Sequence, residues 1–349
     1  MIDLFYSSGG LAGWAGLLVG LLLGSSARLG DFCTLSALET AMLGHDFRRL
    51  HIWGIALGVA ILATHLADGA GLIDMDRTIY HAIAWNPAAS IGGGLLFGYG
   101  MAMAGNCGFG ALIRAGTGDI RSIIIVVVLG IACYFTLSGP LGPLRDLVFP
   151  QQPAAGPNGI AIALAAATGL PAAWFAAALA AGLIVAGLRH PRVRGSALTL
   201  ACAAGVGLSV TLAFVATTML SDGGLGGNTI EGPSFTAPVG RAILYLMTAT
   251  GMLPSFSTGL VFGTLFGAML ASVLQRSFRW EACDDPRELG RQLGGAVLMG
   301  VGGVIAMGCT IGQGLTGFAT LAWSGPVTLA AIALGAYGGL LQLVRGDRL

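Results

Sequence analysis

Lysine is missing altogether from this chain of 349 residues, and charged residues of every kind make up only 9% of it. A nucleic-acid-binding protein needs a dense basic face. Here the net charge is +1 and the 17 arginines stand in short clusters between apolar runs, so nucleic acid is excluded as a partner. Without lysine there is no Gly-x4-Gly-Lys-Ser/Thr loop for ATP phosphates, which argues against a pump within the chain. The first ten residues, MIDLFYSSGG, carry an acid but no basic n-region. No cleavable signal peptide is indicated, and the first apolar run is expected to stay in the membrane. The six cysteines lack the paired spacing of a secreted disulfide scaffold and read as thiols.

What is abundant is apolar: 55% of the residues are hydrophobic and 58 are glycine, a membrane composition. A crossing of the hydrocarbon layer takes roughly 20 residues. Runs that meet or approach this length lie at 11–27, 52–66, 92–114, 122–138, 160–188, 196–220, 255–274, 294–316 and 327–344. Two shorter pieces, one starting near Cys33 and one at 235–250, are too short to span and read as half-helices or interfacial helices, the first capped by Thr34 or Ser36. The stretch 139–159, with prolines at 140, 143, 150, 153 and 157, is the most linker-like part of the chain. The expected fold is therefore an all-α integral membrane protein of about nine crossings plus short half-helices.

The chain also repeats itself. Residues 92–114, GGGLLFGYGMAMAGNCGFGALIR, fall onto 294–316, GGAVLMGVGGVIAMGCTIGQGLT, after a shift of 202 positions. Gly92/Gly294, Gly93/Gly295, Gly98/Gly300, Gly100/Gly302, Cys107/Cys309 and Gly110/Gly312 are identical. Arginine-bearing loops at 48–49, 114–121, 189–194, 276–291 and 345–348 alternate with the nearly arginine-free loops 68–88, 139–157 and 221–238. By the positive-inside rule this puts the N-terminus outside and the C-terminus in the cytoplasm of a bacterial inner membrane. The first copy then runs inward and the second outward, an inverted repeat of two halves around a central path: 1–150, a connector with one crossing at 151–195, and 196–349.

A glycine-dense apolar run broken at a polar Asn-Cys-Gly or Gly-Cys-Thr is a broken membrane helix, tolerated where it lines a cavity. The candidate path residues are therefore Cys107 with Asn106, Gly108 and Gly110, and Cys309 with Gly308, Thr310, Gly312 and Gln313. Cys33, opening its own half-helix, is a third member. Unpaired backbone N–H groups at such breaks make an anion site without a basic side chain. A thiol S–H is a weak donor, suited to a soft, sulfur-bearing anion. The order expected along an inward path is Cys309, Cys107, Cys33. Cys133, Cys202 and Cys283 have no such context and read as small hydrophobes. Two other readings stand beside this one: a soft-metal transporter using the cysteines, and a membrane sulfurtransferase component forming a persulfide on Cys107. No Cys-x-x-Cys pair favours the first and no catalytic base at a telling spacing favours the second. Neither a metal site nor any cofactor is expected. Asp31 and Glu39 are better placed for interfacial capping than for proton coupling, and His45, His51, His65, His81 and His190 fall at expected loops or helix ends.

Three segments, Arg28-Leu-Gly-Asp-Phe-Cys33-Thr-Leu, Gly105-Asn-Cys107-Gly-Phe-Gly-Ala-Leu-Ile-Arg114-Ala-Gly and Gly308-Cys309-Thr-Ile-Gly-Gln-Gly-Leu-Thr-Gly317, resemble the YeeE/YedE family of sulfur transporters. The resemblance covers nearly the whole chain and is weakest from Pro140 to Arg194. It implies uptake of thiosulfate or a related sulfur anion, with the three cysteines lining an hourglass-shaped path and handing on the terminal sulfur by S–H contacts. It also implies a small cytoplasmic sulfur-carrier protein as partner. Some family members are associated with selenium.

Overall fold

The computed structural model describes residues 8–154, 156, 159–222, 230–281 and 285–346. The chain opens with α1 (Ser8–Leu29), the short α2 (Thr34–Met42) and α3 (Arg48–Gly69). A 3-10 turn and α4 (Ile79–Ala82) lead into α5 (Pro87–Ala104), the short α6 (Gly108–Gly116), α7 (Ile120–Leu137) and α8 (Gly142–Val148). There follow α9 (Ile160–Thr168), α10 (Ala172–Leu188) and α11 (Pro191–Arg194). The last part holds α12 (Ala197–Asp222), α13 (Ala237–Thr248), α14 (Phe256–Leu274), α15 (Pro286–Ile305) and α16 (Ser324–Gly346), with a π-helical turn over Gly312–Gly317 before α16. Among the described residues there is no strand, only three isolated bridges.

Within hydrocarbon every backbone donor needs a partner, so helix starts carry built-in caps. Asn86 accepts from Ala89 N at 3.2 Å ahead of Pro87. Asp119 accepts from Arg121 N and the Ser122 hydroxyl. Ser255 caps α14 and Asp285 caps α15.

Among the described residues, seven helical segments are long and apolar enough to cross a membrane: Gly10–Met42, Arg48–Gly69, Pro87–Gly116, Ile120–Leu137, Ala197–Asp222, Phe256–Leu274 and Ser324–Gly346. Two of the nine expected crossings fall outside this set for identifiable reasons. The α10 helix has only 17 residues, because Gly169 takes a left-handed conformation and Pro171 follows it. Charges at Arg287, Glu288 and Arg291 lower the hydropathy of α15. The linker-like stretch also contains the short α8. Cys283, and Pro157 of that stretch, lie outside the described residues.

Membrane helices associate through close van der Waals packing and small residues rather than by excluding water. Here α1 lies against α14, α3 against α12 and α10, and α5 against both α15 and α16. The α5/α15 crossing is reciprocal. A Cβ on Gly93 would come within 2.7 Å of the Gly302 carbonyl oxygen, and one on Gly302 within 2.7 Å of that of Gly93. Gly100 and Gly295 approach each other in the same way, at 2.6 Å in both directions.

Candidate functional site: three cysteines at helix breaks

Each of the three candidate cysteines follows a left-handed backbone turn, although the residues that make it differ. Two positions before the cysteine, the backbone turns left-handed: Asp31 (φ 51), Gly105 (φ 73) and Met307 (φ 59). A left-handed residue ends a helix by turning its last carbonyls aside, and α1, α5 and α15 all stop just before it. Cys33 and Cys107 then adopt extended backbone and become the N-cap residues of α2 and α6. The Cys33 side chain makes no cap bond, and neither Thr34 nor Ser36 is the cap residue, which corrects the sequence expectation. Thr34 is instead the first residue of α2 and accepts from Trp53 Nε1 at 3.3 Å.

At Gly105 a Cβ would meet no atom within 4 Å, so its need for glycine is purely conformational. Gly105→Ala is expected to cost about 1–2 kcal/mol, and Gly105→Asn less, since asparagine tolerates the left-handed region. Thermal unfolding of the detergent-solubilised variants checks this; an alanine variant as stable as wild type overturns it.

The second break departs from the half-helix expected there. After Met307 the chain makes a π-helical turn, with Thr316 N donating to Ile311 O at 2.8 Å. Two glycines in this turn are forced small: a Cβ on Gly312 would lie 2.6 Å from Ser234 Oγ, and one on Gly317 2.8 Å from Gln313 Oε1. The donors to Cys309 accordingly come from two elements. Its Sγ accepts from Gly312 N at 3.3 Å and from Phe235 N at 3.4 Å, with the Ser234 hydroxyl beside the same sulfur. Cys107 Sγ accepts from Gly110 N at 3.3 Å. Both thiols are fully buried, while Cys33 is partly exposed. Because these sulfurs accept from the backbone, their own S–H hydrogens are free to point elsewhere.

The missing side chain of Gly110 marks where these groups converge. A Cβ built there would lie 3.5 Å from Cys107 Sγ, 3.6 Å from Asn106 Oδ1 and 3.8 Å from Cys33 Sγ. The Cys107 thiol also lies within electrostatic reach of Cys309 and beside the Thr310 hydroxyl. Thr310 Oγ1 is buried and has no hydrogen-bond partner of good geometry, and the same holds for Gln313 Oε1. Gln313 Nε2 is anchored on Ala306 O and Met307 O at 3.1 and 3.3 Å. Gly108 and Gly308 hold the tight approaches: a Cβ on either would come 3.0 Å from Phe235 O or Gln313 Cγ.

Sequence reading missed four contributors. Phe235 bridges the two breaks, its N–H on Cys309 and its ring 4.8 Å from that of Phe109, two residues after Cys107. The signal was available, because the 202-residue shift carries Cys33 onto Phe235. Ser234 stands beside it. Tyr80, on α4, donates its hydroxyl to Gly312 O at 2.6 Å, and His81 lies buried with Nε2 3.2 Å from Thr320 O rather than at a solvated end. Of the other described cysteines, Cys133 Sγ donates to Gly300 O at 3.6 Å, and Cys202 packs against Gly30. Among the described residues no three His, Cys, Asp or Glu side chains gather as metal ligands would.

A cavity of about 230 Å³ reaches Ser234, Tyr80 and Met307 from the surface. Arg145 and Arg241 line it; Arg241 pairs with Glu231 at 3.2 Å and Arg145 with Asp146 at 2.6 Å. The arrangement thus joins a pocket with two guanidinium groups to a buried sequence of thiols, hydroxyls and backbone N–H donors. A family model described as sulphur transport matches residues 29–338. The chain belongs to the sulphur-transport family. Two curated relatives match along nearly their full length. The thiosulfate transporter TsuA of Escherichia coli is 26% identical, with 96% of each chain covered. The thiosulfate transporter TsuA of Spirochaeta thermophila is 27% identical, covering 89% of this chain and 93% of the relative. As a member of this family with seven apolar spans among its described residues, the protein is a multi-pass membrane protein.

Proposed function

We propose that this family member carries thiosulfate, or a closely related sulfur anion, inward across a bacterial inner membrane, and that it is a carrier rather than an enzyme. The names of the two relatives support the substrate class. The observation that carries the mechanism is the convergence of Cys107, Cys33 and Asn106 on the vacant side-chain position of Gly110, with Thr310 beside the same thiol. An anion loses its hydration on entering a low-dielectric path, and fixed donors must replace it. On this reading Arg145 and Arg241 collect the anion. It then passes Cys309, flanked by Gly308, Gly312, Ser234 and Gln313, and moves on through Thr310 to Cys107 with Asn106, Gly108 and Gly110. It leaves by Cys33, the partly exposed thiol, from which a small cytoplasmic sulfur-carrier protein receives it. The N-terminus is outside and the C-terminus cytoplasmic, as the arginine alternation argues.

We also read the chain as an inverted repeat, 1–150 and 196–349 around the connector 151–195. The reciprocal approach of Gly93 to Gly302 and Gly100 to Gly295 supports this, since two surfaces related by a two-fold axis meet residue i to j and j to i.

The test is uptake of radiolabelled thiosulfate into cells lacking their own route. Uptake well above an empty vector is expected, and uptake equal to the vector removes thiosulfate as the substrate. Mass spectrometry of Cys107 after substrate exposure separates carrier from enzyme: an unmodified thiol is expected, whereas a persulfide adduct moves the reading to a sulfurtransferase.

A further inference from the structure

Away from the path, α6, α7, α13 and α14 enclose an apolar groove of about 360 Å³. Leu112 and Ala115 of α6, Val127 of α7, Ile243 of α13 and Phe266 of α14 are among its walls, and Phe278 and Trp280 close one end. The two rings meet edge to face at 5.5 Å, and Trp280 is 71% exposed. This closing loop is fixed, not draped. Arg279 N donates to Thr117 O at 3.2 Å, Glu281 N to Gly118 O at 3.1 Å, and Ile120 N to Glu281 O at 3.1 Å.

The loop carries Arg279, between the two aromatics in sequence, and Arg276; Arg114 lies in the last turn of α6 and Arg121 at the start of α7, the two helices that the docked loop bonds between. Among the described residues, the two docked segments carry the carboxylates of Asp119 and Glu281. Asp119 is buried, caps α7 and lies 3.5 Å from Arg121; Glu281 is exposed. Among the described residues no carboxylate pairs with Arg114, Arg276 or Arg279. One end of a hydrocarbon-lined groove is therefore closed by an arginine-bearing loop with an exposed tryptophan, the combination that suits the boundary between acyl chains and headgroups. A second copy of the chain fits worse, because a two-fold contact through this face would set the two basic ends against each other.

We propose that the groove is a binding site for an anionic phospholipid, its acyl chain lying between α7 and α14 and its phosphate held by Arg276 and Arg279. The bound lipid braces α6, which Cys107 caps, and α13, which begins two residues after Phe235, whose N–H donates to Cys309.

Native mass spectrometry of the full chain, titrated with phosphatidylglycerol or phosphatidylcholine, tests this. Wild type is expected to retain phosphatidylglycerol preferentially. Near the surface each arginine contributes about 1 kcal/mol toward an anionic lipid, so Arg276→Gln with Arg279→Gln should cut the preference on the order of tenfold or more. Arg145→Gln, at the other cavity, should leave it intact. Val127→Trp fills the groove from a position already 40% exposed and should abolish retention of both lipids. Equal retention of the two lipids by wild type overturns the proposal whatever the variants do, and so does an unchanged preference in the double arginine variant. A wild type that is dimeric and becomes monomeric on Val127→Trp, with lipid retention unaltered, makes the groove a contact between copies and also overturns it.

Discussion

Cys107→Ala is expected to lower labelled thiosulfate uptake at least tenfold at matched membrane levels, and Cys309→Ala to do the same. Both thiols are fully buried, and each occupies a position where the backbone has been broken to expose donors. In a dry path no water replaces a lost donor, and leaving a buried polar partner unsatisfied costs about 1–3 kcal/mol and more for a charged one, so the loss for an anion is expected to reach about 1.4 kcal/mol, tenfold in a rate, or more. Alanine also removes the acceptor for Gly110 N or for Gly312 N and Phe235 N, so part of the loss is structural. Serine separates the two contributions: a hydroxyl is a good cap but a shorter, harder group than a thiol. If Cys107→Ser restores thermal stability while uptake stays low, the sulfur itself is required. Cys202→Ala, off the proposed path, should stay within about twofold of wild type, as expected for a substitution that removes no path group. Uptake by Cys107→Ala within twofold of wild type would sink the proposed path.

The 202-residue correspondence made much of this architecture legible before any coordinates. It put Cys107 and Cys309 at equivalent breaks, matched the short α2 to the short α13, and flagged Gly93, Gly100, Gly295 and Gly302, which form the α5/α15 crossing. The membrane character followed from composition alone. What stayed hidden depends on tertiary contact. Nothing local distinguishes a π-helical turn from an α-helical one over Gly312–Gly317. Its form follows from the Ser234, Thr316 and Tyr80 contacts, among them Thr316 Oγ1 donating to Pro233 O at 2.8 Å. The left-handed turns at Asp31 and Met307 were equally hidden, because only at Gly105 does the residue type announce the conformation. Ordinary side-chain preference also favoured Thr34 or Ser36 as the cap over Cys33, which takes that position. Position 33 is extended because α1 ends at Leu29 and the chain reverses through Asp31, whose carboxylate pairs with Arg49.

On the proposed inverted repeat, the two halves differ chemically where the 202-residue correspondence pairs unlike residues. Cys33 corresponds to Phe235, so one end of the central region presents a partly exposed thiol and the other an aromatic ring packed on Phe109. On the transport reading this asymmetry gives the path a direction. At one end Ser234 stands beside the Cys309 thiol and, with Tyr80, lines a cavity that also holds Arg145 and Arg241; at the other the partly exposed Cys33 thiol faces Cys107 across Gly110.

Gly259→Val should remove the folded protein almost entirely, as judged by loss of a monodisperse peak in detergent. The contact between α1 and α14 runs backbone to backbone: a Cβ on Gly259 would fall inside van der Waals contact of the Gly13 carbonyl oxygen, with Leu17 N only 2.9 Å away. Gly16, Gly20 and Gly263 make equivalent approaches along the same pair of helices. A side chain here cannot be accommodated by a rotamer change, since its neighbours are main-chain atoms. The helices must separate, and losing that packing along two long helices exceeds about 4 kcal/mol, the range reserved for severe overpacking. Water offers no compensating force within the bilayer, where close packing is itself the driving interaction. Gly182 provides the contrast. It lies in α10 with no atom within 4 Å of its would-be Cβ, so Gly182→Ala should be neutral or stabilise by about 0.5–1 kcal/mol through helix propensity. A normally folded Gly259→Val would show that α1 and α14 do not meet at their glycines, and the assembly of the first and last parts of the chain around the path would need to be redrawn.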